Sequence, residues 1–180
     1  MSNEFHFMNE KDINSIVMSM ADNILRTSED LSKICFIGIM KRGDVIAERI
    51  KSIIEQKSSV QVPLGKIDIN LYRDDLSLID YHPYIASTDI PFDLNEKEVY
   101  LFDDVFFTGR TIRSALNEIM DFGRPARIFL YVMIDRKARE LPIQPDFSGV
   151  EAKIPKNQNF DVKFKETDNK DEILLIKEAS

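Results

Sequence analysis

The chain has 180 residues, 43% hydrophobic and 31% charged, enough to bury a proper core and ordinary for one globular domain. Its 31 acids against 24 bases leave a net charge of −7, which disfavours a general nucleic-acid binder, because phosphate neutralisation dominates such affinity. Cys35 is the one cysteine and forms no internal disulfide. With no basic leader and no apolar run of membrane-spanning length, a cytoplasmic protein is expected.

Residues 12–26 place Ile13, Ile16, Val17, Met20 and Ile24 on one helical face and polar residues on the other. The tract ICFIGI at 34–39 is almost continuously apolar, as in a strand buried on both faces. Met40, Lys41, Arg42 and Gly43 make a basic turn after it, and residues 44–57 carry Ile46, Ile50, Ile53 and Ile54 at helical spacing. Residues 60–72 read as a strand that alternates from Lys66, with Ile67, Ile69 and Leu71 on one side. Arg73, Asp74 and Asp75 then open a polar, proline-broken stretch at 77–95, whose length marks a lid or a disordered segment.

A second apolar run at 99–102 leads through Asp103 and Asp104 to a helix over 110–122, stopped by Gly123 and followed by Pro125. Residues 127–134 are strongly β-type and end at Asp135 and Arg136; residues 160–164 and 172–176 are short candidate elements. The alternation predicts an α/β fold, a mostly parallel doubly wound sheet flanked by helices, in one domain spanning 1–180 with a lid at about 73–96. Loops 40–43, 103–111 and 135–139 each follow a strand and are expected to converge at one sheet edge.

The most informative tract is VYLFDDVFFTGRT at 99–111. A buried strand delivers two carboxylates, and a tight turn then opens a helix N-terminus, whose free N–H groups and positive dipole end attract an anion. Acids beside an anion site suit a ligand carrying both hydroxyls and phosphate, a sugar phosphate. Gly109 lets the backbone approach a phosphate closely, and the hydroxyls of Thr108 and Thr111 add donors. Lys41-Arg42-Gly43 is either a solvated turn or a pyrophosphate cradle. Arg73 either closes a charged turn or enters the site. Asp135-Arg136 is either a helix cap with a surface ion pair or a pair lying beside a bound base. His6 and His82 are far apart and lack metal-ligand spacing.

The tract resembles the phosphoribosyl pyrophosphate (PRPP) loop of type I phosphoribosyltransferases. IDINLYRDDLS (67–77), DIPFD (89–93), DFGRPARI (121–128) and IDRKARELPIQPDFSG (134–149), in that order, are similar to the uracil phosphoribosyltransferases that double as pyrimidine operon attenuation proteins. The resemblance implies conversion of uracil and PRPP to UMP and pyrophosphate with Mg²⁺ carried by PRPP, in a homodimer or higher homo-oligomer. It also implies mRNA binding in the presence of UMP or UTP. By resemblance, Lys41 and Arg42 bind pyrophosphate, with the Met40–Lys41 peptide a candidate for the cis form. Asp103 and Asp104 bind the ribose and are the catalytic pair. Val105, Phe106, Phe107, Thr108, Gly109, Arg110 and Thr111 wrap the 5′-phosphate, and Arg136 lies against the uracil ring; Arg73, from its place before the long loop rather than from the resemblance, is counted with the substrate-binding residues. No side chain is assigned as a metal ligand.

The chain departs from the attenuator pattern where RNA would be met. Ala138 stands where a histidine is expected and Gln144 where an arginine is expected, and residues 12–30 offer Arg26 alone as a base. The alternatives are a non-catalytic, nucleotide-sensing RNA-binding regulator, or a phosphoribosyltransferase for another base such as hypoxanthine.

Overall fold

The computed structural model describes residues 3–69 and 88–177. Strand β1 (Asn3–Asn9) runs straight into helix α1 (Glu10–Thr27). The junction is a capping box: Asn9 Oδ1 accepts from the Lys11 and Asp12 N–H groups at 2.8 and 3.2 Å, and Asp12 Oδ2 accepts from Asn9 N at 3.0 Å. There follow β2 (Ile34–Ile39), α2 (Gly43–Ser58), β3 (Leu64–Ile67), β4 (Glu98–Phe106), α3 (Arg110–Phe122), β5 (Arg127–Asp135) and β6 (Phe147–Glu151). The chain closes with β7 (Gln158–Lys163), the short helix α4 (Lys165–Asp168) and β8 (Glu172–Lys177).

Five strands form one parallel sheet in the order β3-β2-β4-β5-β6. The pleat sorts its side chains. Ile34 and Phe36 of β2, Tyr100 and Phe102 of β4, and Tyr131 and Met133 of β5 pack beneath α1 and α2. Their neighbours Cys35, Ile37, Val99, Leu101, Leu130 and Val132 face Ile112, Ala115 and Ile119 of α3. Each fully buried apolar side chain contributes roughly 1.5–3 kcal/mol relative to exposure. The buried strands are therefore apolar on both faces, as a sheet with helices on either side requires.

The remaining strands form a separate antiparallel sheet, β1-β8-β7, here termed the hood. Val162, Phe164 and Ile173 sink from it into the cluster formed by α1 and α2, so the hood is packed onto the parallel sheet.

Several sequence expectations shift. β4 extends to Phe106, so both acids lie inside the strand rather than after it. β3 ends at Ile67, shorter than its alternating pattern. β5 passes to β6 with no helix between them, which removes the helix-cap reading of Asp135. β1 and β6 had no strand expectation, because neither is a continuous apolar run. Of the expected lid, residues 73–87 lie outside the described residues, as do Leu71 and Tyr72. Residues 88–95 belong to the covering layer: Asp89 pairs with Lys66 through two backbone hydrogen bonds of 2.8 and 2.9 Å, and Leu94 is fully buried.

Candidate functional site at three strand ends beneath the hood

β2, β4 and β5 are neighbours running the same way, so their carboxyl ends lie side by side. That is where open parallel sheets bind ligands. The 40–43 loop leaves β2 with Met40 N bonded to the Ile67 carbonyl at 2.9 Å. The Met40–Lys41 peptide is cis, the bond the resemblance singled out. Gly43, opening α2, is pressed so closely on β4 that a Cβ there would meet the Phe102 carbonyl oxygen at 2.1 Å. Only glycine lets the loop lie against the strand that carries the acids.

The two cations of this loop part company. Lys41 is exposed. Arg42 turns to the hood: its Nε donates to the Val162 carbonyl at 2.7 Å, Nη1 to Thr167 Oγ1 at 3.3 Å, and Nη2 to Asp168 Oδ1 at 3.1 Å.

Asp103 and Asp104 hold themselves in place through the backbone. Asp103 Oδ1 accepts from Asp104 N at 3.0 Å and Asp104 Oδ1 from Val105 N at 2.8 Å. Burial pushes the Asp104 carboxyl above the ordinary carboxylate range, against the opposing pull of the Val105 N–H, Asp103 and the charge of Arg42. A carboxylate raised in this way, with a second one beside it, gains from any ligand that brings hydroxyl donors or positive charge.

Beside them opens a cavity of about 460 Å³, lined by Asp103, the run 105–112 and Asn159 of β7. The size is that of a small-molecule site. Gly109 has φ 91°, the left-handed region, and turns the chain into α3, whose N-cap supplies no side-chain hydrogen bond. Thr108 Oγ1 accepts the Arg110 N–H at 3.3 Å. Thr111 and Ile112 of the first turn line the cavity, and first-turn amides of a helix have no intrahelical partner, an arrangement suited to phosphate.

A brace from the segment after β5 holds this turn. Arg136 N donates to the Phe106 carbonyl at 2.9 Å, and Glu140 N and Leu141 N donate to the Thr108 carbonyl at 2.9 and 3.4 Å. Glu140 also pairs with Arg110 at 3.2 Å. The Arg136 side chain is 2% exposed. Its guanidinium lies 3.7 Å over the Phe107 ring and donates to Asn159 Oδ1 at 2.8 Å and to the Gln158 and Pro155 carbonyls at 2.9 and 3.3 Å. Burial without a carboxylate partner lowers its proton affinity. Arg136 thus rivets β5, the 103–111 loop and the hood, where the sequence placed it against a bound base or phosphate.

A smaller recess of about 160 Å³ is lined by Phe106, Asp135, Lys137, Arg139 and Gln144. Its bases are engaged: Lys137 with Asp135 and Glu151, at 3.4 and 2.8 Å, and Arg139 with Gln144 at 2.8 Å.

The fold therefore brings together residues 41–42, 103–111 and 136, while Arg73 falls outside the described residues. Sequence reasoning missed Asn159 and Asp168, two polar residues in polar surroundings that acquire meaning when the hood folds over the loops. Among the described residues no three His, Cys, Asp or Glu side chains cluster as a metal site. Mg²⁺ held mainly through substrate oxygens and water needs one or two carboxylates, and the Asp103–Asp104 pair fits that requirement. No helix among the described residues is long and apolar enough to cross a membrane.

Residues 9–168 match the phosphoribosyl transferase domain family. The chain belongs to that family. Among curated relatives of this phosphoribosyltransferase, the "Bifunctional protein PyrR" of Chloroflexus aurantiacus is 41% identical over 177 residues, covering 98% of this chain and 97% of the relative. That of Latilactobacillus sakei is 46% identical over 156 residues, covering 86% and 87%. The type I fold is evident from solved structures. A hypoxanthine-guanine phosphoribosyltransferase from Bacillus anthracis superposes with a TM-score of 0.68 at 17% identity, covering 96% of each chain. A hypoxanthine phosphoribosyltransferase from Staphylococcus aureus gives 0.63 at 15% identity, covering 84% of this chain and 78% of the other. At such identity these structures speak to the fold and not to the base.

Proposed function

We propose that this phosphoribosyltransferase joins uracil to the ribose of PRPP, releasing pyrophosphate and forming UMP. The observation that carries the reading is the meeting of Asp103 and a helix N-terminus, whose N-cap supplies no side-chain hydrogen bond, in one cavity of about 460 Å³, with the raised Asp104 carboxyl next to Asp103 on β4. A ligand with vicinal hydroxyls at one end and a phosphate at the other matches both halves. Uracil is favoured by the ordered tracts of the uracil-specific subgroup and by relatives named PyrR.

The reaction is a displacement at the anomeric carbon. The ribose–pyrophosphate C–O bond breaks with its electron pair leaving on pyrophosphate, the uracil nitrogen bonds to that carbon, and the nitrogen's proton is released. Asp103 and Asp104 accept from the ribose hydroxyls and stabilise positive charge growing on the ring. The 105–111 turn fixes the 5′-phosphate, and Lys41 with the 40–43 backbone meets the leaving group. Mg²⁺ bound to PRPP neutralises pyrophosphate charge. Hood and parallel sheet act as one domain, the hood keeping water from the reacting carbon. Self-association is expected, and Met120 and Phe122, 56% and 47% exposed at the end of α3, are suited to a contact between copies.

The second reading, nucleotide-dependent RNA binding, is supported by the word "bifunctional" in the relatives' names. Against it stand Ala138, Gln144 and the engaged Lys137 and Arg139.

The test is pyrophosphate release from PRPP and Mg²⁺ with uracil, hypoxanthine, guanine, adenine or orotate, with Asp104→Asn as control. Turnover with uracil alone, lost in Asp104→Asn, is expected. Turnover with a purine instead overturns the uracil assignment, and UMP binding without turnover on any base overturns the enzyme in favour of a sensor.

A further inference from the structure

Arg42 directs three of its donors away from the cavity and into the hood, at Val162, Thr167 and Asp168. Asp168 is itself built in: its Oδ2 accepts from Phe164 N at 3.0 Å and from Thr167 Oγ1 at 2.6 Å, leaving Oδ1 for Arg42. Burial would raise the Asp168 carboxyl, but those two donors and Arg42 outweigh it and hold the group below its ordinary value. On the other side, Arg42 is the N-cap of α2, next to the glycine pressed against β4, and its charge is felt at Asp104. One guanidinium thus connects the 40–43 loop, the ribose-side acids and a hood carboxylate more than 100 residues away in sequence.

We propose that Asp168 is a positioning residue for the leaving group: by anchoring Arg42 to the hood, it seats the 40–43 loop so that Lys41 and the loop's backbone N–H groups receive pyrophosphate. This rests on the phosphoribosyl-transfer reading of the same site. Arg42 is then the strut of the cradle and Lys41 its cation. A guanidinium whose Nε is bonded to a carbonyl and whose outer nitrogens are bonded to a hydroxyl and a carboxylate meets the demand for several fixed donors, which a lysine ammonium meets poorly.

The test uses the full-length chain with Asp168→Asn, Arg42→Lys and the double variant. Glu166→Gln is the control, because it loosens the Arg49 pair on the same short helix without touching Arg42. Two readouts are taken: pyrophosphate and Mg²⁺-PRPP affinity by calorimetry, and amide hydrogen exchange across residues 40–46 in the unliganded protein. Asp168→Asn is expected to weaken pyrophosphate by about 5- to 10-fold and to speed loop exchange, with Arg42→Lys similar and the double variant no worse than either single one. KM for PRPP should rise while kcat changes less, and Glu166→Gln should leave pyrophosphate affinity unchanged.

Unchanged affinity and exchange in Asp168→Asn overturn the proposal. Tighter pyrophosphate in that variant also overturns it, since Asp168 would then compete with the ligand for Arg42. A wild-type chain that binds neither pyrophosphate nor PRPP overturns the phosphoribosyl-transfer reading, and loop exchange in the variants still decides whether Asp168 seats the loop.

Discussion

The sheet edge and the hood contribute to the same cavity by opposite means. At the sheet edge, the site is backbone: amides of the 108–112 turn, a left-handed glycine and two carboxylates held by neighbouring N–H groups. In the hood, the contribution is side-chain polar chemistry spanning long sequence separations, at Arg42–Asp168 and Arg136–Asn159. Backbone donors survive any side-chain substitution short of proline, whereas arginine rivets are lost on truncation. The sheet edge is therefore the part that binds, and the hood the part whose alignment can be tuned.

The sharpest way to break this contrast is Asp104→Asn, with an expected loss of about 10²–10³ in kcat from removal of one charge aimed at the reacting ring. The same substitution should stabilise the unliganded fold. Because burial raises the native Asp104 carboxyl, ionising it costs stability above its native titration range and nothing below the ordinary carboxylate pKa. The gain in Tm is accordingly expected at neutral pH, on the order of a few degrees, and should vanish as acid protonates the wild-type group. A Tm that falls at pH 7 would contradict the assignment of Asp104 as a strained functional acid.

Arg136→Met probes the hood side. It removes the stack on Phe107 and the hydrogen bonds to Asn159 and two carbonyls, at an expected cost of about 2–3 kcal/mol. A lower urea midpoint with an unchanged m-value would register it, with KM for PRPP rising as the Phe107 wall loosens. At the boundary of the two regions, Gly43→Ala forces a Cβ against the Phe102 carbonyl and is expected to cost about 1–3 kcal/mol while displacing the 40–43 loop. The smallest effect is expected for Glu140→Gln. Its pair with Arg110 is about half exposed on both sides, so stability should change by less than about 0.5 kcal/mol.

The same contrast explains what the sequence disclosed. The 99–111 tract was legible because a buried strand, paired acids and a glycine turn into a helix each have a residue signature. The bounds of α3 follow directly from Gly109 and Gly123. The convergence of the 40–43, 103–111 and 135–139 loops followed from strand–helix alternation, which obliges a parallel sheet. The hood was hardly legible. β1 and β7 mix apolar and polar residues in a half-buried layer, and β1 bonds to β8 across nearly the whole chain. The direction of Arg42 and Arg136 was equally hidden, since an arginine after a strand reads as an anion ligand until its carbonyl partners at 155, 158 and 162 are in place.

The pairing of residues 3–9 with 172–177 has a consequence for biosynthesis. Once Glu151 has cleared the ribosome, all five strands of the parallel sheet are available to pair. β1, translated before the parallel sheet, waits for a partner translated after it, and Arg42 waits for an anchor at Asp168. Nascent chains at that stage hold the acids and the phosphate turn without a roof, so a working centre arises only after β8 has emerged.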